Sequence, residues 1–528
     1  MGAGASAVTK ETQSAIEALP DAAKAELKAL ASPYLRTSLP QPMKDVQADA
    51  SKTCVQRVQE SIDAIMKSEG DLNACTEILS ESALKIAAEA DAKLAEGGTR
   101  RPLEGVPLLV KGNVDYAGTL STAAMEGFAG WKPTTTAPVV QKLVDAGAIP
   151  VAKTTLPEAA FGMWGWSKLH GLTKNPFNSK YTAGGSSTGS AVGLAAGYAP
   201  IAIGSDTEGS MRGPAEFAGV VGLRPTMGRY SDDGIVPCNI ARDTAGMMAC
   251  TVADVAAMDA IQMGAAVSDY TPTALSSVKV ALPKDWAALA EKAPATTKAL
   301  ELAAAAFEAG GATVLKDVAD FKPLIPPVDG LYNTVSFRSE GLDAYIKSHG
   351  EAFKSTLEEV ANKSFYPNVT KFFQAPVTRD ATGAVVPMTN MLEKKGTDEY
   401  TELKGKFDGE VETHTAAFNK YLDDAGVDVI LTPCTSGPPA PAKTAAEYGN
   451  PDTFVPLIMS SIASYSPISG LNGLPLPSIT LPTSARHEPA LGGGEMPAGV
   501  LLWARSKDDK KLVEIAMALE TALAAAAK

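Results

Sequence analysis

Cysteine and histidine are scarce in this chain of 528 residues, which holds five cysteines and four histidines. The cysteines are odd in number, widely spaced and without a C-x-x-C pair, which argues against a disulfide framework and a structural zinc site. No histidine stands in an H-E-x-x-H or comparable ligand spacing. We therefore expect no metal and no cofactor, and any catalysis is expected to proceed without histidine. These residues are Cys54, Cys75, Cys238, Cys250, Cys434, His170, His349, His414 and His487.

Long apolar runs and an excess of positive charge are also missing. No run reaches the roughly 18 apolar residues that suggest a membrane span, and the N-terminus lacks the pattern of a signal peptide. Lys and Arg total 47 against 60 Asp and Glu, a net charge of −13, which disfavours a nucleic-acid partner. Met1, Gly2 and Ser6 match a loose myristoylation pattern without a second signal, so no stable membrane anchoring is expected. The sequence predicts a cytoplasmic protein.

The composition is that of a globular protein, with 45% apolar and 20% charged residues, which excludes disordered and collagen-like chains. The length alone would suggest roughly three domains. However, no Pro/Gly/Ser-rich linker separates two cores. We predict a helical N-terminal arm over residues 1–100 and one catalytic domain over residues 101–528. Within it, residues 321–413 are less periodic and are interpreted as a variable insertion that shapes a pocket.

Helices alternate with short strands from about residue 102 onward. Thr136 is the predicted N-cap of one such helix, and Gly147 ends it. This alternation is typical of an α/β fold with a mostly parallel or mixed sheet and helices on both faces. Helices are predicted over residues 11–31, 80–96, 137–146, 295–309, 414–424 and 508–526, and strands over 149–153, 313–316, 428–432 and 500–504.

Glycine and serine concentrate in residues 181–226, where turns around Ser186 and Ser210 flank one predicted helix and one predicted strand. The glycines fit tight helix–strand packing, with the serines as helix caps. A phosphate-binding loop is disfavoured because the G-x-x-x-x-G-K-[ST] pattern is absent. Residues 185–189 also match the G-x-S-x-G nucleophile elbow, which needs a downstream Asp and His. This segment alone leaves a packing role and a catalytic role both open.

Lys111 ends an apolar, strand-like run, P-L-L-V-K. Lysine is seldom buried unless it is paired, and a desolvated lysine loses affinity for its proton and can act as a base. A surface lysine at a strand end is the alternative interpretation.

Lys111, the G-G-S-S run at residues 184–187 and the D-T-E-G-S-M-R run at residues 206–212 together resemble the amidase signature family. The resemblance continues through G-L-R-P-T at residues 222–226 and covers about residues 102–511. It implies the amidase signature fold, with a large mixed sheet covered by helices on both faces, and hydrolysis of a carbon–nitrogen amide bond.

The resemblance also implies a Ser-cisSer-Lys triad. Ser210 is the implied nucleophile, Ser186 the bridging serine after a cis peptide bond, and Lys111 the base. The chemistry agrees, because a serine hydroxyl is a poor nucleophile until a base removes its proton. The implied oxyanion hole consists of the backbone N–H groups of Thr207, Glu208, Gly209 and Ser210, and the bracing residues are Asp206, Arg212 and Ser187.

Two positions depart from the family pattern. Glu208 stands where the family usually has glycine, and Gly112 stands where an aspartate commonly follows the lysine. We expect the Glu208 carboxylate to repel an anionic substrate, and its Cβ restricts the φ angle of the loop.

Residues 228–246 resemble the mandelamide and indoleacetamide hydrolase branch more than the tRNA amidotransferase branch, and peptide amidases look similar there. The predicted substrate is a small primary carboxamide with an aryl or apolar acyl group. Peptide amidase or fatty acid amide hydrolase-type activity and a non-catalytic amidase-like scaffold are the alternatives, and the sequence leaves monomer and homodimer both open. Side chains expected to line the acyl pocket, with core packing as the alternative, are Phe161, Met163, Trp164, Trp166, Cys238, Asn239 and Ile240.

Overall fold

The computed structural model describes residues 51–284, 293–316, 318, 324, 335–364, 377–379, 385–387, 389–443, 474–491 and 493–526. Gly2, the predicted helix over residues 11–31 and parts of the predicted insertion at residues 321–413 lie outside these residues.

Eleven strands share one hydrogen-bonded sheet. Those strands, in chain order, are β1 (Cys75–Ile78), β2 (Pro107–Lys111), β3 (Ile149–Thr154), β4 (Ile201–Asp206), β5 (Val221–Arg224), β6 (Thr244–Ala249), β7 (Lys279–Ala281), β8 (Thr313–Leu315), β9 (Val429–Pro433), β10 (Ser478–His487) and β11 (Met496–Trp503).

The sheet is mixed, with the spatial order β1-β3-β2-β4-β6-β5-β10-β11-β9-β7-β8. Strands β3, β2 and β4 run parallel to one another in one half of the sheet. Strands β9, β7 and β8 run parallel in the other half. Antiparallel pairs join the two halves through β6, β5, β10 and β11. The strand β2 is buried along its whole length, which matches its nearly continuous apolar sequence.

The described part of the chain contains twelve α-helices. Their bounds are α1 (Cys54–Leu72), α2 (Ser80–Ala95), α3 (Pro138–Asp145), α4 (Thr188–Ala195), α5 (Arg212–Ala218), α6 (Val252–Met263), α7 (Pro294–Ala309), α8 (Arg338–Ser348), α9 (Leu357–Asn362), α10 (Met391–Lys394), α11 (Asp398–Ala425) and α12 (Asp509–Ala526).

The helices cover both faces of the sheet, as the sequence predicted. Helices α3, α6, α7 and α12 pack their apolar residues on the face that carries Leu108 and Val110 of β2. Helices α1, α2, α4 and α5 pack on the opposite face, which carries Leu109. This alternation follows from the two-residue repeat of a strand, which sends neighbouring side chains to opposite faces. No helix in the described part of the chain is both long enough and apolar enough to cross a membrane.

Most of the predicted elements are confirmed within one or two residues at their ends, but three differences are informative. Ala137, not Thr136, is the N-cap of α3; Pro138 at the first helical position sets the start, and Thr136 Oγ1 instead accepts from the Ala117 N–H. The helix predicted over residues 414–424 is part of the 28-residue α11, whose largely polar exposed surface hides its periodicity. The predicted N-terminal arm also supplies β1, a four-residue strand at the edge of the sheet.

Candidate active site

The predicted site residues come together where two parallel strands end. Strand β2 ends at Lys111, and its parallel neighbour β4 ends at Asp206. Because parallel strands present their carboxyl ends at the same edge of a sheet, the loops that follow them meet there. The loop after β4 carries Ser210 and leads into α5.

Lys111 is fully buried and points at Ser186. Its Nζ lies 2.8 Å from Ser186 Oγ, 2.9 Å from Ser205 Oγ and 3.1 Å from the Ser205 carbonyl oxygen. Burial lowers the pKa of Lys111 to about 7, and the negative charge of Asp206 only partly opposes that shift. The amine is therefore uncharged in a large fraction of molecules near neutral pH.

The turn before α4 holds Ser186 in place. The peptide bond between Gly185 and Ser186 is cis. Gly185 is required sterically, because a Cβ at this position would lie 2.3 Å from the Gly162 carbonyl oxygen. Ser187 joins this turn to the Ser210 loop, since its N–H donates to the Ser210 carbonyl at 2.8 Å. The Ser187 hydroxyl donates to the Ser205 carbonyl at 3.1 Å.

Ser186 thus has a direct contact to the lysine and an indirect one to Ser210. The hydroxyls of Ser186 and Ser210, both among the described residues, are not joined by a hydrogen bond to each other. Their two turns are connected through the backbone bond from Ser187 to Ser210.

Asp206 braces the loop that carries Ser210. Its carboxylate accepts from the N–H groups of Gly209 and Met211 at 2.9 and 3.0 Å. The guanidinium groups of Arg212 and Arg224 approach the same carboxylate at 2.9 and 3.1 Å. Burial by itself would raise the pKa of Asp206, but the two guanidinium groups outweigh it and hold the pKa well below its usual range. Asp206 and Arg212 therefore lie where a bracing role requires them.

The predicted oxyanion hole lies in the loop of residues 207–210, which is called the oxyanion loop below. Three of its backbone N–H groups are available to bind an oxyanion. Within the described residues, the N–H groups of Thr207, Glu208 and Ser210 make no hydrogen bond, whereas that of Gly209 donates to Asp206. Gly209 has a φ of 107°, which favours glycine. Glu208 stays outside the left-handed region, so its Cβ fits the turn without strain.

A second loop, residues 238–243, holds the oxyanion loop from behind. Arg242 Nη1 lies 2.5 Å from Glu208 Oε1. The carboxylate of Asp243 accepts from Thr207 Oγ1 at 2.5 Å and from the N–H groups of Cys238 and Asn239 at 2.8 Å each. Burial raises the pKa of Asp243 to about 6. None of these contacts was predicted from the sequence.

Ser210 opens onto a small cavity of about 50 Å³. Four of the side chains predicted for the acyl pocket line it, namely Phe161, Met163, Trp164 and Cys238. Thr207 and Glu208 of the oxyanion loop also line this cavity. Among the described residues, Trp166, Asn239 and Ile240 do not line it; Ile240 lies at larger neighbouring cavities.

Arg338, the first residue of α8, is a wall residue that was not predicted from the sequence. Its guanidinium lies 4.4 Å from the centroid of the Phe161 ring, and its Nη1 donates to Cys238 Sγ at 3.3 Å. Arg338 follows Ser210 by more than a hundred residues, and nothing in its local pattern marks it. The one sequence signal that pointed to this region was the low periodicity of residues 321–413, interpreted as a pocket-shaping insertion.

Comparison with known proteins agrees with this geometry. The family model described as "Amidase" matches residues 56–513, which is most of the chain. The chain belongs to the amidase signature family. It is therefore an amidohydrolase that acts on amides.

Characterised relatives of this amidase fall in more than one branch of the family. The chain is 29% identical to a mandelamide hydrolase of Pseudomonas putida over 86% of its own length and 85% of the relative's. It is 30% identical to one component of the glutamyl-tRNA(Gln) amidotransferase of Deinococcus deserti over 89% and 94% of the respective chains. These nearly equal identities do not separate the two branches.

Solved structures share the fold of this amidase. A peptide amidase from Stenotrophomonas maltophilia is 26% identical, with a TM-score of 0.67 over 93% of this chain and 98% of that one. A structure described as an amidase is 25% identical, with a TM-score of 0.68 over 92% of this chain and all of the other.

Proposed function

We propose that this amidase hydrolyses a small primary carboxamide with an aryl or apolar acyl group, releasing a carboxylate and ammonia through an acyl-enzyme on Ser210. The observation that carries the proposal is the 2.8 Å approach of Lys111 Nζ to Ser186 Oγ in a fully buried setting. An uncharged amine there has a lone pair that can accept the Ser186 proton.

In the acylation step, Ser210 Oγ attacks the amide carbon while its proton passes to Ser186 Oγ and the Ser186 proton passes to Lys111 Nζ. The protonated Lys111 returns a proton, through Ser186, to the leaving nitrogen, and the carbon–nitrogen bond breaks to give ammonia. Water then attacks the acyl-enzyme by the same route and restores Ser210. Catalytic hydrogen bonds commonly tighten only in the complex with substrate, so we expect the Ser186–Ser210 contact to form there.

The developing oxyanion is assigned to the N–H groups of Thr207, Glu208 and Ser210, which have no hydrogen-bond partner among the described residues. The N–H of Gly209 is assigned instead to bracing, because it donates to Asp206 at 2.9 Å. Preorganised amides of this kind stabilise the charge that appears in the transition state.

The walls of the cavity favour a largely apolar acyl group. Phe161, Met163 and Trp164 supply aromatic and apolar walls beside Ser210. Peptide amidase activity is the second candidate, since a peptide amidase shares the fold at 26% identity.

The test is ammonia release by the Ser210→Ala variant. We expect this variant to lose at least about a hundredfold in kcat on a small carboxamide. Ser190→Ala is a matched control, because Ser190 is a buried serine on α4 that contacts Thr154 Oγ1 at 2.8 Å and lies outside the cavity. Unchanged release by Ser210→Ala would overturn the mechanism.

The substrate class is tested with an arylacetamide, a C-terminally amidated dipeptide and a long-chain fatty acid amide. We expect kcat/KM to be highest for the arylacetamide. A clear preference for the amidated dipeptide would replace the proposal by its peptide amidase alternative, and equal turnover of all three would contradict a narrow acyl pocket.

A further inference from the structure

The oxyanion loop and the loop over residues 238–243 are fastened by two adjacent contacts. Glu208 pairs with Arg242 at 2.5 Å, and Thr207 donates to Asp243 at 2.5 Å. Two consecutive residues of one loop are therefore held by two consecutive residues of the other. The position of the Glu208 side chain is thus defined by its partner.

Glu208 faces the cavity while Arg242 stands behind it. The Glu208 side chain is 34% exposed and lines the cavity together with Ser210, whereas the Arg242 side chain is only 7% exposed. The Glu208 carboxylate therefore borders the space that the acyl group would enter. The balancing positive charge of Arg242 lies behind Glu208, in the protein interior.

One further charged side chain lines this cavity, and another lies behind its wall. Arg338 lines the cavity directly, and Asp243 lies buried behind Thr207. Asp206 with Arg212 and Arg224 lies at the Ser210 loop as well, so the Glu208–Arg242 pair is one balanced part of a charged surrounding. Removal of either member of the Glu208–Arg242 pair would change the charge beside the cavity by one unit.

We propose that Arg242 masks the charge of Glu208 and thereby makes the cavity selective for uncharged acyl groups. Arg242 is in this sense a specificity-determining residue that acts through Glu208. The proposal rests on the proposed function, in which the acyl group occupies the cavity beside Ser210. It also accounts for the tolerance of a carboxylate where the family usually has glycine.

The experiment uses one neutral primary carboxamide that the enzyme hydrolyses, together with two analogues of the same skeleton that carry an ammonium or a carboxylate on the acyl side. The quantity measured is the ratio of kcat/KM for the ammonium analogue to kcat/KM for the carboxylate analogue. Only turnover that Ser210→Ala abolishes is counted, so failure of the catalytic proposal is seen separately from failure of this one.

Arg242→Met exposes the carboxylate and is expected to raise this ratio at least about tenfold, because unlike charges a few ångströms apart in a partly desolvated site attract strongly. Glu208→Gln removes the negative charge from the cavity wall and is expected to lower the ratio by a similar factor. The double variant, which lacks both charges, should return the ratio to near the wild-type value, and Arg242→Lys should preserve it.

Arg505→Met is the matched control, because Arg505 pairs with Asp423 at 2.7 Å on the surface. It should leave the ratio unchanged. The proposal is overturned if Arg242→Met and Glu208→Gln shift the ratio in the same direction, or if neither shifts it. If Arg242→Met does not fold, the test rests on Glu208→Gln alone, because Glu208 is partly exposed. An unchanged ratio of kcat/KM values in that variant contradicts the proposed masking.

Discussion

Lys111 and Lys153 are buried lysines on the neighbouring strands β2 and β3, and they point to opposite faces of the sheet. Lys111 is in register with Thr154, and Lys153 with Val110, so the two amines alternate across the sheet. Burial lowers the pKa of both to about 7. Only Lys111 reaches a serine of the proposed triad; Lys153 donates to the Val114 carbonyl and to Ser121 Oγ. Burial alone therefore does not distinguish a base from a structural lysine.

The two lysines give a matched pair for mutation. Lys111→Met is expected to lower kcat at least about a hundredfold, because the proton acceptor is lost. Lys153→Met removes an equally buried amine on the other face and should keep kcat within about threefold of wild type. Amide hydrolysis is measured on folded samples whose circular dichroism matches the wild type. Equal losses in the two variants would remove Lys111 from the mechanism.

The pH dependence of the rate follows from Lys111. Below a pH of about 7 the amine carries a proton and cannot accept another. We expect kcat/KM to fall by up to about tenfold per pH unit on the acid side and to level off above neutral pH. Initial rates between pH 5 and 9 on a neutral amide measure this limb. A rate independent of pH from 5 to 9 would contradict an amine base.

Lys153 should also affect stability. Its folded-state pKa of about 7 lies below the ordinary value of 10.5, so between these pH values the unfolded chain binds a proton that the folded chain does not. The free energy of unfolding therefore gains a contribution that rises with pH across this window and is lost as the pH falls toward 7. Lys153→Met should reduce that slope by up to about 1.4 kcal/mol per pH unit. Urea unfolding of both proteins at several pH values measures the difference.

Asp206 is expected to be a major contributor to stability. Asp206→Asn would leave Arg212 and Arg224 buried without their carboxylate, and breaking a buried ion pair in this way commonly costs about 3–5 kcal/mol. Asp424→Asn is the control, since Asp424 pairs with Lys420 on the exposed surface of α11 and should change little. Chemical denaturation gives both values. A loss no larger than that of the control would show that Asp206 is not stabilising the loop.

Gly209 tests the shape of the oxyanion loop. Gly209→Ala places a Cβ on a residue with a φ of 107°, and we expect kcat to fall at least about tenfold as the neighbouring amides move. Gly264→Ala is the control, because Gly264 also has a positive φ, 68°, but ends α6 with open space around it. That variant should lose some thermal stability and keep its kcat. If Gly209→Ala kept its kcat while Gly264→Ala lost it, the geometry of the oxyanion loop would not be needed for catalysis.

The resemblance to the amidase signature family, carried by short motifs, pointed to Lys111, Ser186 and Ser210, and the structure brings the motifs of these three residues together. Their local patterns alone left packing and surface roles open. Arg242, Asp243 and Arg338 reach the site only through tertiary folding, and each resembles an ordinary charged residue in its local sequence. The contact between Glu208 and Arg242 spans 34 residues, far beyond the reach of helix or strand periodicity.

The same reasoning explains the elements that were missed or shortened. Strand β1 has only four residues and no buried one, so no alternating pattern marks it. Helix α11 buries only Phe407, Phe418 and Leu422 along 28 residues, and its first half therefore shows little apolar periodicity. In contrast, β2 and β3 are buried at every position, and their apolar sequences predicted them.

Strands β10 and β11 come last in the chain, yet they lie in the interior of the sheet between β5 and β9. Until residues 478–503 have emerged from the ribosome, β5 and β9 each present an unpaired edge, which is a surface prone to aggregation. The two halves of the sheet would thus be joined only after this last hairpin has been synthesised. Nascent chains arrested before this hairpin should need a chaperone to stay dispersed.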